Sequence, residues 1–290
     1  MSADTAWQLA SFALQLLTYA TGLFAAGGVL FLLLFSGVTA AERARIARAT
    51  LVLAMIGLAV ASLAIPVRVG YLNGGGIDGM FDPFLLGMLA LSPVGVSVLM
   101  RALGFALIVL VICRHPLGIW LSGTGALFVL ASLTVTGHAG VYDAVIGRSL
   151  VAIHLTGAAY WLGALWPLLL VVRSGEHARA AAILERFGVI AMFLVGALVL
   201  AGVVLTVLLL DSLAALWQTA YGITLMIKLA LVAALLLLAA LNRFRLVPGL
   251  MAGGGQAAGA LKGVIALEIV LALLILLTTT MLTTYFSPFG

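Results

Sequence analysis

Residues 133–167, LTVTGHAGVYDAVIGRSLVAIHLTGAAYWLGALWP, decide how this chain is read. The stretch reads as the end of one membrane-spanning helix, a short outward loop and most of the next span. It holds His138 and His154, the two of the four histidines that fall at or inside a predicted span. His138 closes the first helix just after Gly137. His154 lies about two turns into the second, roughly 9 Å deep at about 1.5 Å per residue if that helix begins near Arg148. An ionisable group at that depth is costly in lipid, so it is expected to face the bundle interior or a polar cavity. Ala158 and Trp161, four and seven residues further on, share its helix face.

The rest of the chain supports the same reading. Of 290 residues, 65% are hydrophobic and only 8% charged, and mean hydropathy is +1.32, far from the composition of soluble domains. Apolar runs of about 20 residues recur along the length, each enough to cross a hydrocarbon core as a helix. The alternating ten-residue pattern of a membrane β-barrel is absent. The predicted class is therefore all-α: one polytopic transmembrane domain over 1–290, embedded in a lipid bilayer. Its eight spans are expected near 11–35, 47–69, 94–113, 117–137, 148–171, 187–210, 217–241 and 263–286. The first ten residues, MSADTAWQLA, lack the basic flank of a signal peptide, so the first run is expected to be a retained span.

Charge in the connections orients the bundle. Alternate loops carry Arg43, Arg45 and Arg48, then Arg114, then Arg173, Arg179 and Arg186, then Arg243, Arg245 and Lys262. The intervening loops hold only Arg68 and Arg148, beside Asp78, Asp82, Asp143 and Asp211. This bias predicts a cytoplasmic basic side and both termini outside. The second loop contains NGGG and Pro83, which argue against a simple helix, and its apolar part from Phe84 to Leu91 is too short to span.

Three charges lie within predicted spans: Arg101, Lys228 and Glu268. They are expected either to snorkel or pair with backbone carbonyls, or to set the electrostatics of a polar pathway with Glu268 as counter-charge. The single cysteine, Cys113, excludes an intramolecular disulfide and any cysteine-pair metal motif. His138 and His154, on one outward-facing hairpin, are the leading candidate metal ligands and suit copper, zinc or haem iron. Further candidate ligands are Met80, Met88, Asp82, Asp143 and Met281 on the outer side, and Cys113 with His115 on the inner. Thr134 is expected to support His138. No GxxxxGK[ST], HExxH or GxSxG is present, so no nucleotide-driven or hydrolytic chemistry is expected, and nothing resembles a nucleic-acid footprint.

GHA at 137–139, HLTGAAYWLGAL at 154–165, RFG at 186–188 and YGITLMIKLALVAALLLLAALNRFRLVP at 221–248 resemble signature segments of the copper resistance protein D family of bacterial inner-membrane proteins. The resemblance implies copper as the ion handled, in uptake across the inner membrane or in copper tolerance, with no enzymatic activity. It points to His138 and His154 as copper-handling positions and marks Trp161, Tyr221, Lys228, Asn242 and Arg243 as motif residues without an assigned role. It also implies a periplasmic copper-binding partner, expected here as a separate protein. Two alternatives accompany this reading: a haem b electron-transfer protein or metal reductase, and a non-transporting copper sensor or docking platform for a periplasmic carrier.

Overall fold

The computed structural model describes residues 3–74, 77–113, 115–136, 144–209, 214–253 and 255–286. Eight helices among them are long and apolar enough to cross a membrane, and no strand occurs among the described residues. They are α1 (Ala3–Leu34), α2 (Ala40–Asn73), α4 (Pro93–Ile108, extended by a 3-10 turn at Val109–Ile112), α5 (Pro116–Val135), α6 (Ala144–Arg173), α7 (His177–Leu209), α9 (Ala220–Leu241) and α11 (Gly255–Thr284). Shorter pieces connect them: α3 (Pro83–Ala90), α8 (Ala215–Gln218) and α10 (Val247–Met251).

Helix starts follow local chemistry that hydropathy alone does not register. Asp82, Ser92 and His115 each cap a helix whose next residue is proline, and each side chain accepts from a backbone N–H of the first turn. Proline fits that position because its missing N–H would have been unpaired anyway. The second loop, expected as irregular, thus contains a 3-10 turn at Ile77–Phe81 and the capped helix α3. The physical reason is that the Asp82–Pro83 pair starts a helix rather than blocking one.

At the arginine-rich end, Thr39 and Glu42 form a reciprocal capping box at the start of α2. Glu42 also receives a fork from Arg179 of α7, Nη1 to Oε2 at 2.7 Å and Nη2 to Oε1 at 2.9 Å. Arg179 donates in addition to the Gly37 carbonyl and to Ser174 Oγ. One guanidinium therefore ties the α1–α2 turn to the α6–α7 turn.

Helix α1 is the centre of the bundle, in contact with α2, α5, α6 and α11. Its approach to α6 is backbone on backbone at Gly27 and Gly163, where a Cβ on either residue would meet the main chain of the other. Small residues allow such proximity, and in a membrane close packing is a main source of helix association. The buried core runs along this seam through Val29, Phe31, Phe35, Leu165 and Leu168. By contrast, α9 packs closely on α11 and continues into a π-helical turn at Asn242–Leu246, where the Val247 N–H reaches the Asn242 carbonyl. Pro248 follows at once; it has no N–H to donate and its ring displaces the preceding turn. The space enclosed by α6, α7, α9 and α11 holds two cavities.

Candidate functional site

The cavity farther from the arginine-rich loops has a volume of about 270 Å³. His154 enters it from α6, Tyr221 and Lys228 from α9, Thr206 from α7, Thr279 from α11 and Tyr19 from α1. Lys228 lies eight residues into α9, about 12 Å along its axis. This half of the bundle therefore contains a polar chamber with walls of leucine, valine and alanine. The hydroxyls of Thr206 and Thr279 donate to carbonyls of their own helices, which leaves the imidazole, the ammonium and the phenol of Tyr221 as its distinctive groups.

His154 Nδ1 is buried and has no hydrogen-bond partner among the described residues. The polar groups acting on its ring are the Leu198 backbone and the Lys228 ammonium. Most buried polar atoms in proteins are satisfied, so an orphan nitrogen on a ring that lines a cavity marks a place where a ligand or water would complete the set. A neutral imidazole offers a lone pair there, suited to a borderline or soft metal ion.

The second cavity, of about 180 Å³, lies toward the arginine-rich end. Trp161 contributes from α6, Gly188 and Met192 from α7, Asn242 and Arg243 from the end of α9, and Glu268 from α11. Trp161 faces this cavity while the adjacent Leu162 faces the other. The two chambers are thus separated at one level of α6, next to the Gly27–Gly163 contact. Asn242 Nδ2 donates to Glu268 Oε1 at 2.9 Å, and Arg243 Nη1 donates to the Glu185 carbonyl at 3.1 Å.

The remaining candidates are dispersed. Arg101 is buried between α4 and α5, donating from Nε to Ser132 Oγ at 3.3 Å and from an Nη to Ser97 Oγ at 3.1 Å. Hydroxyls rather than carbonyls or a carboxylate hold it, and Glu268 forms no ion pair with Arg101 or Lys228 among the described residues. Asp82 and His115 are engaged as helix caps. Met80 lies in the 3-10 turn, Met88 is exposed on α3, and Met281 is on α11. Cys113 is exposed. Thr134 Oγ1 donates to the Ala131 carbonyl. His138 and Asp143 lie outside the described residues. Among the described residues, no three of His, Cys, Asp and Glu are grouped closely enough to hold a metal ion.

Sequence reasoning singled out Tyr221, Lys228, Asn242 and Arg243 without a shared purpose. The structure divides them between two chambers, with Tyr221 and Lys228 beside His154 and Asn242 and Arg243 beside Glu268. Sequence reasoning missed Ser97 and Ser132 as partners of Arg101; a serine four residues before an intramembrane arginine was the available signal.

Comparison with known proteins adds chemistry to this geometry. A family model described as "Copper resistance protein D-like, N-terminal domain" matches residues 4–149, and one described as "Copper resistance protein D" matches residues 181–282. The first takes in α1 to α5; the second takes in Lys228, Asn242 and Glu268, while His154 and Trp161 fall between the two. The "Copper transport protein CutJ" of Bacillus subtilis (strain 168) is 27% identical over 204 residues, covering 66% of this chain. The chain spans only 38% of that protein's length. No solved structure matches.

Proposed function

The chain belongs to the copper resistance protein D family, and on that premise we propose that it passes copper across the bacterial inner membrane through the two chambers. It is a multi-pass membrane protein, and copper is its cargo. The loop charges support a cytoplasmic arginine-rich end, with both termini in the periplasm. The chamber holding His154 then faces the periplasm, where a separate copper-binding protein would deliver the ion by ligand exchange.

The observation that carries this reading is the orphan Nδ1 of His154, a residue that lines the outer chamber. We assign His138, which the family resemblance marks together with His154, as the second imidazole. The ammonium of Lys228 repels a cation held beside it, which suits an ion in transit rather than one in storage. From there the ion passes the level of Leu162 and Trp161 into the chamber of Asn242 and Glu268.

The test is copper stoichiometry on purified protein loaded under reducing and under oxidising conditions. His154→Ala should lose the bound copper while keeping the elution profile of the folded wild type. Stoichiometric copper retained in that variant would overturn the assignment.

A further inference from the structure

Glu268 is 3% exposed, yet no cation is paired with it among the described residues. Its one hydrogen bond there is to Oε1, from the neutral amide of Asn242. The oxygen of that amide, Oδ1, is buried and has no partner among the described residues. The side chain that donates to Glu268 thus carries an acceptor without a donor, beside a carboxyl group without a counter-ion among the described residues. A buried carboxylate with a single neutral donor and no counter-ion is expensive in a low-dielectric setting, and so is an orphan amide oxygen.

One proton removes both deficits. Placed on Oε2, it neutralises the carboxyl group and supplies a donor for Oδ1. The Nδ2–H to Oε1 bond stays in place, and acid and amide then form a doubly bonded cyclic pair. We propose that Glu268 and Asn242 form a proton-binding site that exchanges with water through the chamber at the arginine-rich end. A hydronium ion in the chamber would give its proton to Oε2 and leave water; the return step regenerates the carboxylate, which Asn242 Nδ2 still supports.

The surroundings agree. Of the elements packed around Glu268, α9 and its π-turn present Arg243, whose Nη1 is engaged by the Glu185 carbonyl, α6 presents Trp161, and α7 presents Phe187 and Gly188. Arg186, also on α7, turns away and lies over the Phe35 ring. Lys262 stands six residues before Glu268 on its own helix, off its face. The π-helical turn that begins at Asn242 is the kind of irregularity that recurs at functional sites, because it re-aims side chains that a regular helix would place elsewhere. The oxygen donors of this pair also distinguish it from a soft copper site.

Infrared difference spectroscopy on the full chain, purified without copper, tests this independently of the copper reading. A protonated-carboxyl C=O component should appear on acidification over the background of the other carboxyls, shift on transfer to D2O, and be absent in Glu268→Gln, which keeps the shape and the amide contact. In Asn242→Ala the band should remain but move to higher frequency, because its hydrogen bonds are gone. The proposal fails if the band survives in Glu268→Gln, if it does not shift in D2O, or if the Asn242→Ala band does not move. Loss of the band on adding Na⁺ at constant pH would also overturn it, by making the pair a metal-cation site.

Discussion

The contact between Gly27 and Gly163 gives the sharpest test of the packing argument. A Cβ on Gly27 would stand 2.5 Å from the Gly163 Cα and closer still to the Ala159 carbonyl oxygen. Carbon atoms at their optimum sit about 3.5–4.0 Å apart, so α1 and α6 would have to separate by about 1 Å or more. Neither obstacle is the end of a flexible side chain that could swing away. Overpacking costs about 1–3 kcal/mol, and a clash of backbone with backbone belongs at about 3 kcal/mol. Gly196 on α7 has nothing among the described residues within 4 Å of where its Cβ would be. There the same Gly→Ala change should be neutral or gain about 0.5 kcal/mol from reduced backbone freedom in the unfolded chain. The assay is the thermal midpoint of detergent-purified variants at one fixed scan rate, followed by tryptophan fluorescence. Gly27→Ala should melt well below the wild type and Gly196→Ala at or slightly above it. A Gly27→Ala protein that melts with the wild type, or a Gly196→Ala protein that falls as far, would refute the reasoning.

Other consequences are equally direct. Arg179→Met removes a two-bonded partner from the nearly buried Glu42, and should cost about 1–3 kcal/mol, read as a lower thermal midpoint that Glu42→Gln in the same chain partly restores. Asp82→Ala should lose about 1 kcal/mol of capping at α3 whereas Asp82→Asn loses little, since both Asp and Asn cap well; copper stoichiometry unchanged in Asp82→Asn would separate this role from metal ligation. Arg101→Met should remain folded and lose little stability, because Ser97 and Ser132 keep carbonyl acceptors at 2.7 and 2.6 Å; failure to fold would mean that the charge itself is required. Lys228→Met, by removing a cation from the His154 chamber, should lower the copper dissociation constant and slow release, measured by competition with a chelator; weaker binding would refute the electrostatic role.

Much of this architecture is written locally. Apolar runs long enough to cross a bilayer leave no alternative to helices, because unpaired backbone polar groups cannot face lipid. The eight spans could therefore be read one at a time. His154 was legible for a similar reason: an ionisable side chain two or three turns inside a span has to face something other than lipid. Lys228 and Glu268 stood out in the same way, but their partners did not. Glu268 was expected as a counter-charge for Arg101 or Lys228, since opposite charges within one bundle invite pairing. In the fold it meets Asn242, whose placement follows from the π-helical turn before Pro248, while Arg101 is held by two serines of α4 and α5.

What the sequence determined by itself is the solvent of each segment, the number of crossings and the alternation of basic loops, because each depends on composition within one stretch. What only the tertiary structure decided is which intramembrane groups share a space. Helix rotation and tilt are set by packing between neighbours, above all by the glycine contact that brings α1 onto α6. That packing leaves two chambers bordered by α6, α7, α9 and α11, His154 in one and Glu268 in the other. No periodicity within a single span records the side from which its neighbours will approach.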